Sequence, residues 1–404
     1  MTTSTINQPT HTPTPTTPTP DFADFGPASS YLHRSPHRTL HATGIRTTLP
    51  LRNGTTTDAA AALHRLLDAA GTGDHAPTVA TGVLPFHPEH TAELLVPHTA
   101  HFTGSPRATG PAPAPAPPGR WQHRAVPEPA DYRRAVSRVL DQLGTEDLHK
   151  VVLARTLHLT GPQPIDVPAL LRRLAHREPH AHTFAVQLPA AAAGDSRRLL
   201  IGASPELLVS RNGTAVTSHP LAGSAPRTAD PLADHERAER LLRSAKDGHE
   251  HAIVVEAITD TLTPYCRKLR VPRHPSLVRT STMWHLGTRI EGELRDPDTT
   301  ALDLALALHP TPAVCGWPTG LARHVIAETE PFDRDYFTGA VGWCDSEGDG
   351  EWVVALRCAE VQGAGLRLFA GAGIVPGSDP DSELAETSAK LRTFLTALGV
   401  EGEA

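Results

Sequence analysis

Several things are scarce in this 404-residue sequence, and each scarcity narrows what the chain can be. It has four cysteines, Cys266, Cys315, Cys344 and Cys358, with no CxxC spacing, which argues against a thiol-held metal or a disulfide framework and for reduced thiols in the cytoplasm. No apolar run approaches the length of a membrane span, so no membrane association is expected. Met1 to Thr5 carries no basic residue and no apolar stretch follows, so no secretory signal is expected. The formal charge of -7 without a basic block excludes a nucleic-acid surface. Lysine is scarce as well. Lys150, Lys246, Lys268 and Lys390 stand in a chain that otherwise uses arginine, and a lysine kept there suggests a need for a compact, titratable ammonium.

What is present suits a large α+β protein. Residues 1–25, Thr/Pro-rich to about Asp21, read as a disordered tail, and 26–404 as one domain. Asp58 to Ala70 reads as an amphipathic helix closed by Gly71, and Pro111 to Pro118 as a semi-rigid loop. A helix face through Ala135, Val136, Val139, Leu140 and Leu143 ends at Gly144. Strands are expected from Lys150 to Leu159, from Leu199 through Ser210, and from Glu351 to Cys358, with a hairpin turn at Asn212-Gly213. Asp234 to about Leu262 reads as one long helix. Hairpins with helices in blocks between them predict large, mostly antiparallel sheets with helices packed outside.

Two stretches carry chemistry. Leu366 to Phe369 reads as a strand entering a glycine turn, where Gly371 and Gly373 leave N–H groups open to an anion. Ser378 or Asp379 then caps a helix with Pro380 in its first turn and a buried stripe of Leu384, Leu391, Phe394, Leu395 and Leu398. Glu383, Glu386 and Lys390 share one flank of it. Upstream, Asp247 and Glu250 also share a helical flank, whereas His249 and His251 point to different sides and do not make a joint metal site. Taken alone, acidic first turns and a Glu–Lys pair four apart are ordinary surface features. If the two acidic flanks meet, four negative charges need a counter-ion, and an all-oxygen set suits Mg²⁺.

Lys150-Val-Val-Leu-Ala-Arg155, Ser204-Pro-Glu-Leu-Leu208, Leu221-Ala-Gly-Ser-Ala225, Lys246-Asp247 with Glu250-His251, and Ser281-Thr-Met-Trp-His-Leu286 resemble the chorismate-utilising enzymes. So do His309-Pro-Thr-Pro-Ala313, Glu330-Pro-Phe-Asp333, Gly342-Trp-Cys-Asp345 and Ala370-Gly-Ala-Gly-Ile-Val375. The match runs in order from Lys150 to Lys390, within a motif-bearing part over 126–400, and is weaker over 26–125. It most resembles the isochorismate synthases of siderophore pathways.

The resemblance implies Lys150 as the base that activates water and Glu206 as the acid that protonates the departing C4 hydroxyl of chorismate. It implies Glu250 and Glu386 as direct Mg²⁺ ligands, supported by Asp247 and Glu383. Gly223, Ser224, Ala313, Arg357, Gly371 and Lys390 would line the substrate site, with His285 orienting groups near the ring. Burial near Mg²⁺ and Arg357 would bring the lysine amine towards its neutral form, a change arginine cannot make.

Lysine at position 150 differs from the ammonia-using members, so water as nucleophile and no amidotransferase partner are expected, with the chain a monomer. Phe337 resembles the isochorismate synthases and Leu356 the salicylate synthases, which go on to eliminate pyruvate. A regular strand would point Leu356 and Arg357 to opposite faces, so both reach one site only at a bend or strand end. Salicylate synthesis, a non-catalytic chorismate-binding protein, and menaquinone rather than siderophore supply remain as alternatives.

Overall fold

The structure is a computed structural model describing residues 22–52, 59–69, 78–104, 113–114, 119–143, 147–189 and 196–400. The expected tail up to Asp21, Gly71, Gly144 and most of the loop from Pro111 to Pro118 lie outside those residues.

Two large antiparallel sheets lie face to face between layers of helix. Among the described residues one sheet has ten strands and the other nine. The ten-stranded sheet is centred on Lys150–Thr160, Gly365–Ile374, Cys358–Gln362 and Arg198–Ser204, and continues through His182–Gln187 to Ser29–Arg34, Arg38–Thr43 and Thr99–Gly104. The nine-stranded sheet runs from Cys266–Arg270 and Ile290–Leu294 through Leu207–Asn212, Gly350–Val354 and Ala340–Asp345 to Val79–Leu84, Thr91–Val96 and Thr47–Arg52. A small sheet of Leu221–Pro226, Met283–Gly287 and Ser276–Arg279 stands beside them. Both large sheets thus mix strands from before residue 105 with strands from after residue 145.

Strand alternation assigns the layers. Tyr31, Phe184, Leu200, Val83, Val341 and Val353 fill the space between the sheets. On the outer face of the ten-stranded sheet, Leu170, Leu171 and Leu174 of the helix Val167–Arg177 pack with Leu391, Phe394, Leu395 and Leu398 of the helix Pro380–Leu398. On the outer face of the other sheet lie Leu63, Leu66 and Leu67 of Ala59–Ala69, Val254 and Ile258, and Leu302 and Leu304 of Ala301–Leu308. The α+β architecture with external helices is the one the sequence predicts, and all four cysteines are free and buried. No described helix is long and apolar enough to cross a membrane.

Four elements depart from the sequence reading, beginning with the strand expected from Leu199 through Ser210, which breaks at Pro205-Glu206 into Arg198–Ser204 and Leu207–Asn212 of different sheets. The long helix expected over Asp234 to Leu262 is two helices, Pro231–Arg243 and Ala245–Leu262. Ser244 between them is extended (φ -70°, ψ 117°), and its hydroxyl accepts from the Asp247 N–H as the cap of the second helix. The strand expected over Glu351 to Cys358 breaks between Gly350–Val354 and Cys358–Gln362, which belong to different sheets. Arg357 at the break has φ +46°, a left-handed conformation that no regular strand tolerates. Finally, the strand Gly365–Ile374 runs straight through Gly371 and Gly373, and the chain turns only at Gly377 (φ +89°).

Candidate active site

The break at Arg357, the glycine strand and the start of the helix Pro380–Leu398 open onto one cleft, about 640 Å³ with the open solvent of its mouth included. Glu206, Gly223, Ser224, Glu250, His285, Ala313, Phe337, Leu356, Arg357, Gly371, Glu386 and Lys390 all line it. The bend required for Leu356 and Arg357 to share the site is therefore present. Lys150, Asp247 and Glu383 stand directly behind that lining.

Antiparallel pairing explains why the glycine strand faces the cleft. Gly371 pairs with Ala154 and Gly373 with Val152. The Ala154 N–H instead donates to Glu330 and the Val152 N–H to the Cys315 carbonyl, so both point away from the glycines. These are non-hydrogen-bonded pairs, and Gly371 and Gly373 accordingly turn their polar groups to the opposite edge. There Lys390 Nζ donates to the Gly371 carbonyl at 2.7 Å. A Cβ at Gly373 would lie 2.2 Å from Glu250 Oε1, so only glycine leaves that carboxylate its place. Gly223 (φ +77°) likewise backs onto Asp247, where a Cβ would meet Cβ at 3.0 Å.

Glu206 is 2% exposed, and burial pushes its carboxyl up to about 8, against the opposing pull of the Leu221 N–H and of Lys150, Lys390 and Arg357. It therefore carries its proton at neutral pH. Lys150 opens its strand wholly buried, with Nζ 2.9 Å from Glu250 Oε1. Behind it, Arg334 donates to the carbonyls of Val152 and Val314 and pairs with Glu330, fixing this strand against the segment that carries Ala313.

Three of the four lysines each hold one acid. Lys150 pairs with Glu250, Lys246 with Glu383 at 2.9 Å, and Lys390 with Glu386 at 2.6 Å. The Lys246–Glu383 pair joins the two acidic flanks, so the helices Ala245–Leu262 and Pro380–Leu398 do meet there. Burial, and then Glu386, raise the Glu383 carboxyl, and burial, opposed by Ser244 and reinforced by Glu250, raises that of Asp247. Burial also works to raise Glu386, but the Lys390 ammonium outweighs it and holds that carboxyl below its ordinary range. Asp247, Glu250, Glu383 and Glu386 gather their oxygens in a buried place, and hard oxygen donors of this kind fit Mg²⁺. Among the described residues, no three of these acids bring one oxygen each within 4.8 Å of one another.

The opposite wall is cationic and apolar. Arg357 is buried, and its Nη2 lies 3.2 Å from His285 Nε2. Burial, and then Arg357 and Lys390, hold the His285 imidazole well below its ordinary value, so the ring is neutral. Phe337 stacks on Phe369 at 4.8 Å between centroids and 9° between planes. Sequence reasoning missed Phe369, Thr338 (φ +60°) and Val152, all in the lining; Thr338 follows Phe337, Phe369 adjoins a quoted motif, and Val152 lies inside one. His249 is exposed and His251 buried, the latter bonded to the Ala222 carbonyl and Thr288, so they do point apart.

Residues 78–399 match the family model described as chorismate binding enzyme. The chain is 50% identical over 382 residues to isochorismate synthase DhbC of Bacillus subtilis, covering 94% of this chain and 95% of that protein. It is 46% identical over 322 residues to the vibriobactin-specific isochorismate synthase of Vibrio cholerae, covering 79% of each. A crystal structure described as the 2,3-dihydroxybenzoate-specific isochorismate synthase DhbC of Bacillus anthracis superposes with a TM-score of 0.89 at 44% identity, over 94% of this chain and 99% of that one. Matched along most of its length in sequence and in fold, with the motif residues gathered around one cleft, this chain belongs to the chorismate binding enzyme family.

Proposed function

We propose that this chain is an isochorismate synthase, converting chorismate to isochorismate for siderophore biosynthesis, as the named activities of its relatives suggest. The observation that carries the reaction is Glu206, a buried carboxyl that keeps its proton to about pH 8 in the same cleft as an otherwise inaccessible lysine. Lys150, as the neutral amine, takes a proton from water as the water oxygen bonds to C2 of the ring. The ring double bonds shift, the C4–oxygen bond breaks, and Glu206 gives its proton to the departing hydroxyl, which leaves as water. One water enters and one leaves, so the net change is an isomerisation.

The planar fork of Arg357, with the neutral His285 set against it, suits the pyruvyl carboxylate. Gly223, Ser224, Ala313, Gly371 and Lys390 bound the ring, and Phe337 and Leu356 its apolar side. Glu250 and Glu386 would hold Mg²⁺, with Asp247 and Glu383 behind them. Bound there, the ion would draw in the ring carboxylate and offset its charge. With water as the nucleophile no amidotransferase subunit is needed, and the chain acts alone as a cytoplasmic monomer. Residues 26–404 form one domain, a reading supported by the way early and late strands share both sheets.

The test is to incubate the purified chain with chorismate and Mg²⁺, with and without EDTA, and to separate the products. Isochorismate formed only without EDTA is expected. Salicylate with pyruvate would move the chain to the salicylate synthases, and chorismate bound but unchanged would make it a binding protein.

A further inference from the structure

Away from the cleft, three buried groups converge that the chemistry above does not use. His33 and His182 lie on one face of the ten-stranded sheet. His33 pairs directly with Phe184, which puts His182, two residues along, on its diagonal. Glu351 comes from the other sheet and, with Val353, faces the space between them. Glu351 Oε1 lies 3.4 Å from His33 Nε2 and 3.2 Å from His182 Nδ1. All three residues are buried, and the three atoms face one another across the two sheets. Three polar groups converging inside a core call for an explanation. Among the described residues, this is the one set of three His, Cys, Asp or Glu ligand atoms within 4.8 Å of one another.

We propose that His33, His182 and Glu351 form a structural site for a divalent transition-metal ion of the Zn²⁺ class, tying the two sheets together. Two imidazole nitrogens and one carboxylate oxygen are a regular zinc donor set, and bond lengths of about 2.0–2.1 Å put tetrahedral ligand atoms about 3.3 Å apart, the spacing seen between Glu351 and both rings. Three protein ligands leave the fourth position to water. The outer layer is also in place, since the Tyr31 hydroxyl lies 3.3 Å from the other nitrogen of His33 and orients that ring. The donor set separates this site from the all-oxygen acids of the cleft, because imidazole nitrogens favour Zn²⁺ over Mg²⁺.

The experiment measures metal in the full chain expressed with added Zn²⁺ and dialysed without chelator. About one Zn²⁺ per chain is expected in the wild type and in Glu386→Gln, falling at least about tenfold in His182→Ala and Glu351→Gln. In parallel, wild-type chain refolded with Co²⁺ should show visible absorption bands of tetrahedral cobalt, and this arm needs no variant to fold. A wild type that holds no Zn²⁺ and gives no cobalt bands overturns the proposal and leaves a metal-free ion pair. Equal metal in wild type and His182→Ala would overturn it too.

Discussion

The cleft and the His33–His182–Glu351 cluster are both buried groups of ligand-type side chains, but they are built on opposite plans. In the cleft each of three acids is matched to its own lysine, so the charges are spread over three separate pairs. In the cluster a single carboxylate oxygen is approached by two rings, with no lysine nearby to compete. The first plan suits a site that must open and reform with each turnover. The second suits a fixed tie between sheets. Position enforces the difference: the cleft groups stand on strand ends, helix starts and a left-handed break, whereas the cluster sits on regular strands.

The largest effect that would sharpen this contrast comes from Glu206→Gln. The amide copies the shape of a carboxyl that is already neutral, so turnover should fall by about 10²–10⁴ with little change in melting temperature. Near-normal turnover would remove Glu206 as the acid. In the wild type the rate should decline as pH rises through about 8, where Glu206 loses its proton. Over the same range, from the ordinary carboxyl value to about 8, the folded protein keeps a proton that the unfolded chain releases. The contribution of Glu206 to stability therefore falls as pH rises, and Glu206→Gln should flatten that slope in denaturation measured against pH.

Glu351→Gln should show the reverse signature. It removes the carboxylate that two imidazoles of the other sheet approach and should cost about 1–3 kcal/mol in urea unfolding, while product identity is unchanged. A fully stable variant would show that this cluster holds little together. Gly373→Ala is the next smaller test. Its methyl displaces the Glu250 carboxylate, and steady-state assays should need about 10–100-fold more Mg²⁺ for half-maximal rate. An unchanged Mg²⁺ requirement would separate Glu250 from the metal. Ser244→Ala removes the cap that splits the two helices and should cost about 1 kcal/mol in thermal unfolding.

Local rules made the polar flank of the last helix legible in the chain, whereas Lys150, Glu206, Gly223, Ser224, His285, Ala313 and Arg357 entered the reading through the family resemblance. Asp379-Pro380 announces the helix start, the three- and four-residue spacings of Glu383, Glu386 and Lys390 announce its polar flank, and scarce lysines mark the acids' partners. What escaped was set by the tertiary fold. A bend at Leu356-Arg357 was expected, but not its form, a positive φ at a residue that has no special tolerance for it, imposed where the chain passes from one sheet to the other. The helix break at Ser244 did have a local signal, Ser followed by Asp three residues on, masked by helix formers on both sides. Gly371 and Gly373 suggest a turn locally, yet they serve an extended strand that must pass close to a carboxylate. The cluster could not be read at all, since His33, His182 and Glu351 come from three distant strands.

The most direct measurement runs the reaction in water enriched in heavy oxygen and weighs the isochorismate formed. If Lys150 activates a solvent water while Glu206 expels the C4 hydroxyl, each product molecule gains one heavy oxygen, at C2. Product without the label would mean that the hydroxyl is carried from C4 to C2 within the substrate, and would contradict the assignment of a base and an acid on separate side chains.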